Sequence, residues 1–128
     1  MKTLASIRAK RGRKAFRFGL IAEWRVEAYL MLRGYRRIGH RLRTGKGEID
    51  LVMVKKGVLA FIEIKARLDF DTAAFSLRKK QRERLVSAAN LWLAKHRHYE
   101  ARYVNRRFDL ILVDRFFRLR HIQNAFYE

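Results

Sequence analysis

Two short apolar runs, GEIDLVMV (residues 47–54) and VLAFIEIK (58–65), dominate the hydropathy pattern of the chain. Toward their outer ends charged and apolar residues alternate, which is the two-residue period of a β-strand. Only Lys55-Lys56-Gly57 separates them, and so short a joint holding a glycine predicts a β-hairpin. A two-residue loop at Lys56-Gly57 sets Lys55 opposite Val58 and, by extension, Asp50 opposite Glu63 and Glu48 opposite Lys65. Those four side chains then share one face. Ile49, Leu51, Met53, Ala60, Ile62 and Ile64 form the other, apolar face. Val52 and Phe61 continue the charged face as apolar residues, so that face is expected to be half covered.

The remaining pattern predicts helices on either side of this hairpin in sequence. Phe18–Arg33 carries an apolar stripe of Ala22, Val26, Tyr29 and Leu30, widened by Ile21, Trp24, Ala28 and Leu32, and Gly34 stands where a helix C′ glycine belongs. Tyr35–Arg43 reads as an arginine-rich edge strand ending in the Thr44-Gly45-Lys46-Gly47 turn. Arg67–Phe75 reads as a loop. Ser76 can N-cap a second helix reaching about His96, with Leu77, Leu85, Ala88, Ala89, Trp92 and Leu93 as its core stripe. RFDLILV (107–113) is a near-continuous apolar run, as expected of a central strand. Phe116–Ile122 adds another strand, and a short tail ends in Phe126-Tyr127. The expected fold class is therefore α/β, a mixed β-sheet flanked by helices in the order α-β-β-β-α-β-β. Residues 1–15 are expected to form a flexible basic arm, a solvated tail or a phosphate tether, ahead of one domain over 16–128.

Charge changes this picture most. With 31 Lys and Arg against 12 Asp and Glu, the net charge is +19, which predicts a polyanionic partner. The basic residues are spread along the whole chain, so nucleic acid is the first candidate. No aromatic RNA-recognition motif is present, which puts DNA ahead of RNA. The absence of cysteine excludes disulfides and thiolate metal sites. No apolar run approaches the ~18 residues of a membrane-spanning helix. The basic N-terminus lacks a signal-like apolar stretch. The expectation is a cytoplasmic protein without a membrane partner. The four histidines show no ligand spacing.

Like charges facing each other in a strand pair are destabilising, so Asp50 and Glu63 need a reason to be there. One is a hard divalent cation such as Mg²⁺, held by one or two carboxylates together with substrate phosphate oxygens. Lys65, one pleat from Glu63, can then neutralise phosphate charge or orient an attacking water. Those are the parts needed to cut a phosphodiester. The competing reading is an ordinary solvated strand face. Glu23 lies along the buried stripe of the first helix, where it either joins the metal site or pairs with an arginine. Gln81 falls on the apolar stripe of the second helix, either as a hydrogen-bonded core residue or reaching the site. Arg43, Lys46 and Arg67 near the carboxylates, and Arg78, Lys79 and Arg82 near a helix N-terminus, are candidate phosphate contacts.

The order of elements, with Asp on the second strand and Glu-x-Lys on the third, resembles the restriction-endonuclease-like PD-(D/E)xK superfamily. G-x-x-x-E at Gly19–Glu23, YL at Tyr29-Leu30, GY at Gly34-Tyr35, GEIDLV at Gly47–Val52, FIEIKAR at Phe61–Arg67, RFDLILV at Arg107–Val113 and HIQNAF at His121–Phe126 are similar to the YraN-type uncharacterised protein family within it. That resemblance implies an endonuclease-like fold and nucleic-acid binding. It implies that Asp50 and Glu63 ligate Mg²⁺ or Mn²⁺, that Lys65 is catalytic, and that Glu23 is the helix carboxylate approaching the metal. A homodimer is a further implication. The proline of the superfamily pattern is replaced by Ile49.

Overall fold

A long helix, α1 (Leu4–Leu32), opens the fold of this computed structural model, which describes residues 3–75 and 78–125. The Thr3 hydroxyl caps it by accepting from Ser6 N–H at 3.1 Å. At the other end Gly34 takes φ +92. Its N–H donates to the Met31 carbonyl and that of Tyr35 to the Leu30 carbonyl, a Schellman closure that a side chain at Gly34 would strain. Residues 4–15, expected within a flexible arm, are helical and continuous with the predicted helix. Ala, Leu, Arg and Lys favour helix, and no proline interrupts the run.

Five strands follow in one sheet of order β1-β2-β3-β4-β5: β1 (Arg36–Thr44), β2 (Gly47–Lys55), β3 (Val58–Ala66), β4 (Asn105–Val113) and β5 (Leu119–Ile122). β3 and β4 run parallel and the other neighbours antiparallel. The arginine-rich strand is an edge, and the RFDLILV strand is interior, as expected. The hairpin turn is Lys56-Gly57, with φ +49 and +78, the left-handed pair that suits the twist of two antiparallel strands. The register keeps Lys55 opposite Val58 and Leu51 opposite Ile62.

Between β3 and β4 the chain crosses the sheet through three helices: α2 (Phe70–Phe75), α3 (Lys79–Lys95) and α4 (Arg97–Arg102). Part of the predicted 67–75 loop is thus α2, started by Asp69, whose Oδ1 accepts from Thr72 N–H at 2.7 Å. α3 begins with Arg78 as its cap residue. The expected cap Ser76 and core residue Leu77 lie outside the described residues, as does the tail from Phe126.

α1 covers one face of the sheet and α3 the other. Ala22, Val26 and Leu30 pack on Leu51, Met53, Ala60, Ile62, Ile111 and Val113. Leu85, Ala88, Ala89, Trp92 and Leu93 pack on Val52, Val54, Leu59, Phe61 and Phe108. This is the endonuclease-like α/β arrangement expected. The α1 stripe is narrower than its sequence suggests: Ile21, Trp24, Ala28 and Leu32 are exposed, Trp24 at 69%. One helix on a sheet buries only the residues directly over the strands. Among the described residues no helix is long and apolar enough to cross a membrane.

Candidate active site

The hairpin ladder stops at Leu51–Ile62, and beyond it β2 and β3 open around Asp50. The expected Asp50–Glu63 and Glu48–Lys65 pairs are not part of the ladder. Instead Ile64 N–H donates to Asp50 Oδ2 at 2.8 Å, so a carboxylate stands in for a strand carbonyl. The cause is a local break in alternation. Leu51 packs under α1, whereas Ile49 packs with Val52 under α3. Across the β1–β2 register from Asp50 stands Arg41, at φ +49. Irregularities of this kind bend a strand and re-aim a side chain, and here the side chain is that of Asp50.

The opening brings the expected residues together on the α3 side. Glu48, Asp50, Glu63 and Lys65 line one cavity of about 250 Å³ with Gln81 and Arg84. Lys65 Nζ lies 3.4 Å from Glu63 Oε1, and both side chains are largely buried, at 12% and 17% exposure. Burial, and then the charge of Glu63, push the Asp50 carboxyl up to about 8. The Ile64 N–H works against this shift without cancelling it. Glu63 is raised too, chiefly by burial, while Lys65 pulls it down. The two carboxyls titrate as a coupled pair, each raised chiefly by burial. A site of hard oxygen donors that retains a proton at neutral pH fits a divalent cation, which would replace that proton.

Glu23 lines two cavities together with Asp50. Its carboxylate is held by Arg41 through contacts of 2.9 Å. Among the described residues no group of three or more His, Asp or Glu side chains is gathered to hold a metal ion. An arginine opposite Asp50 in the strand register is well placed to take the helix carboxylate, which is the pairing alternative. Gln81 is exposed rather than in the core. It occupies the third position of α3, where its Oε1 accepts from Arg78 N–H at 3.3 Å, and from there it faces the cavity.

None of the cations predicted to contact phosphate lines the α3-side cavity. Arg43 pairs loosely with Glu48 at 3.6 Å and is 90% exposed. Lys46, Arg67, Arg78, Lys79 and Arg82 are exposed, and Lys79 meets Glu83 at 3.8 Å. Arg84 lays its stem over Gly47, where a Cβ would come within 2.9 Å of it. Sequence reasoning missed the α1 side. There Lys14, Phe18 and Gly19 join Asp50, Arg67 and Leu68 around a cavity of about 630 Å³. The helical period was the available signal: Ala15, Phe18 and Gly19 extend the Ala22–Val26–Leu30 stripe by two turns toward the N-terminus.

The comparisons with known proteins agree with one another. Residues 22–113 match the model of an uncharacterised protein family, UPF0102, a span that contains Glu23, Asp50, Glu63 and Lys65. A UPF0102 protein of Rhodopseudomonas palustris (strain BisA53) is 46% identical over 112 residues, covering 88% of this chain and 85% of that one. One of Nitrobacter winogradskyi is 43% identical over 112 residues, covering 88% and 93%. One of Bradyrhizobium sp. (strain ORS 278) is 44% identical over 112 residues, covering 88% and 78%.

Proposed function

The chain belongs to the uncharacterised protein family UPF0102, and we propose that it is a metal-dependent nuclease that hydrolyses phosphodiester bonds in DNA. The observation that carries this reading is the pair of largely buried carboxyls, Asp50 and Glu63, beside Lys65 in the gap between two strands of a protein charged +19. Asp50 and Glu63 would hold Mg²⁺ or Mn²⁺, which when bound supplies a Lewis acid and a water of lowered pKa. Lys65 lies close enough to steady charge on a phosphate oxygen or to orient the attacking water. Arg41 holds Glu23, whose negative charge helps keep Asp50 raised. Arg43, Lys46, Arg67, Arg78, Lys79 and Arg82 would meet backbone phosphates, which positions DNA without reading its sequence.

The test is incubation of the purified protein with Mg²⁺ or Mn²⁺ and a panel of branched, single-stranded and duplex DNAs. Cleavage is expected, and Lys65→Ala should slow it by about 100-fold or more. Cleavage unchanged in Lys65→Ala would remove that residue from the chemistry.

The engagement of Glu23 by Arg41 and of Glu63 by Lys65 favours a second reading, a nucleic-acid-binding protein of nuclease fold without catalysis of its own. Titration calorimetry separates the two. Binding heat for Mn²⁺ that vanishes in Glu63→Ala supports the enzyme. A flat titration, with DNA affinity that falls steeply with salt and ignores metal, supports the binder.

A further inference from the structure

We propose that the α1-side cavity next to Asp50 receives one unpaired nucleotide of DNA, its base against Phe18 and its phosphate between Lys14 and Arg67. This rests on the nucleic-acid reading of the site and narrows its substrate to DNA with a single-stranded extension, flap or gap. The volume of about 630 Å³ lies in the range of small-molecule pockets. A base inside a duplex cannot enter such a pocket without leaving its stack, whereas an unpaired base enters freely. Phe18, Ile64 and Leu68 give the cavity an apolar and aromatic wall and Lys14 and Arg67 its cations, the combination of sequence-tolerant single-strand sites, while Glu23, paired with Arg41, and Asp50 line the side next to the carboxylate pair. Phe18 is half-buried and held edge-on by Phe117, with ring centres 5.3 Å apart. Arg67 Nη1 donates to its neighbour's carbonyl, Ala66 O, at 2.7 Å, which fixes the guanidinium at the rim.

Gly19 lines this cavity, and a Cβ there would meet nothing within 4 Å, so its bare backbone leaves the wall open. Asp50 also lines the polar cavity on the α3 side. Asp50 thus borders both cavities, and a strand with its scissile phosphate at Asp50 can lay its next nucleotide against Phe18.

Fluorescence anisotropy in EDTA, where no cleavage occurs, tests this with three DNAs. They are a blunt duplex, the same duplex with a short single-stranded extension, and that extension with an abasic site at its first unpaired position. The extension should bind about tenfold more tightly than the blunt duplex, and the abasic site should erase the gain. Gly19→Leu fills the cavity while improving helix propensity, so it should fold and lose the preference with blunt-duplex affinity unchanged. Phe18→Ala should do the same. Equal binding of blunt and extended DNA, full affinity of the abasic DNA, or a preference surviving Gly19→Leu would each overturn the inference. Cleavage of both DNAs in Mg²⁺ without any preference would sink this inference and leave the nuclease reading standing. A preference lost in Gly19→Leu with no cleavage of any DNA would do the reverse.

Discussion

Asp50→Asn is expected to abolish DNA cleavage and, at the same time, to raise the melting temperature of the metal-free protein at pH 7–8. The two effects have one cause. In the fold the Asp50 carboxyl is pushed up to about 8 by burial and by Glu63, while in the unfolded chain it titrates near its ordinary value of 3.8. Between those values the native state holds a proton that the unfolded state has released. Stability of the metal-free protein therefore falls as pH rises from about 4 to about 8, at up to roughly 1.4 kcal/mol per unit, and levels off above. Asparagine mimics the protonated acid. Its Oδ1 can accept from Ile64 N–H, and its amide can donate to Glu63. The variant should lose the slope and melt higher, by about 4 °C for each kcal/mol recovered. Mn²⁺ should raise the melting temperature of the parent increasingly with pH, because binding displaces the proton, and should leave the variant unmoved. Loss of cleavage should exceed the roughly 100-fold typical of removing a residue that merely supports a metal ligand. Melting curves from pH 5 to 8 in EDTA decide it: a parent curve flat with pH, or a variant no more stable, removes the Asp50 proton from the account.

Periodicity and turn chemistry carried most of the architecture. Lys56-Gly57 fixed the hairpin register, and Gly34 marked the end of α1, because both turns require φ values that glycine adopts without cost. Glu63 and Lys65 share one face by strand alternation, whereas Asp50 joins their cavity through the break in alternation where the ladder opens. That opening is not legible in the sequence. It depends on Arg41 adopting φ +49, which no residue type announces, and on an ion pair between Arg41 and Glu23 that spans α1 and β1. The long reach of α1 was hidden by its charge. Lysine and arginine are good helix formers, yet a dense basic run reads first as a solvated arm. Trp24 and Leu32 looked like core because helical spacing specifies a face but not its width. Gln81 took the second of its two readings: α3 starts at Lys79, so its first turn lies outside the core and on the cavity.

Asp109→Ala should destabilise the fold by about 3–5 kcal/mol, the cost of leaving the Arg107 guanidinium and two further donors without their anion. Asp109 is fully buried on β4, facing α1. Arg107 grips it through two contacts, Nε to Oδ1 at 2.8 Å and Nη2 to Oδ2 at 2.9 Å. His121 Nε2 lies 2.8 Å from Oδ2, and Asn124 N–H donates to Oδ1 at 2.9 Å. Arg107 also donates to the Tyr35 hydroxyl at 2.7 Å, which ties the network to the end of α1. One carboxylate thus joins β4, β5, the segment after β5 and the α1–β1 junction. Burial alone would raise its pKa, but the hydrogen bonds from His121, Arg107 and Asn124 outweigh burial and hold it below the usual carboxylate value. Because the native pKa is depressed, this contribution is complete above about pH 4 and is lost as pH falls through the native value. Asp109→Asn keeps the shape and the Asn124 bond but removes the charge, so it should cost less than alanine. Thermal melts at pH 7 should show Asp109→Ala more than 10 °C below the parent. The gap should close on acidification, since the parent loses by protonation what the variant lacks at every pH. A deficit under about 1 kcal/mol at pH 7, or one that does not shrink in acid, would mean that Arg107 and His121 find other partners and that the tail and α1 are held by packing alone.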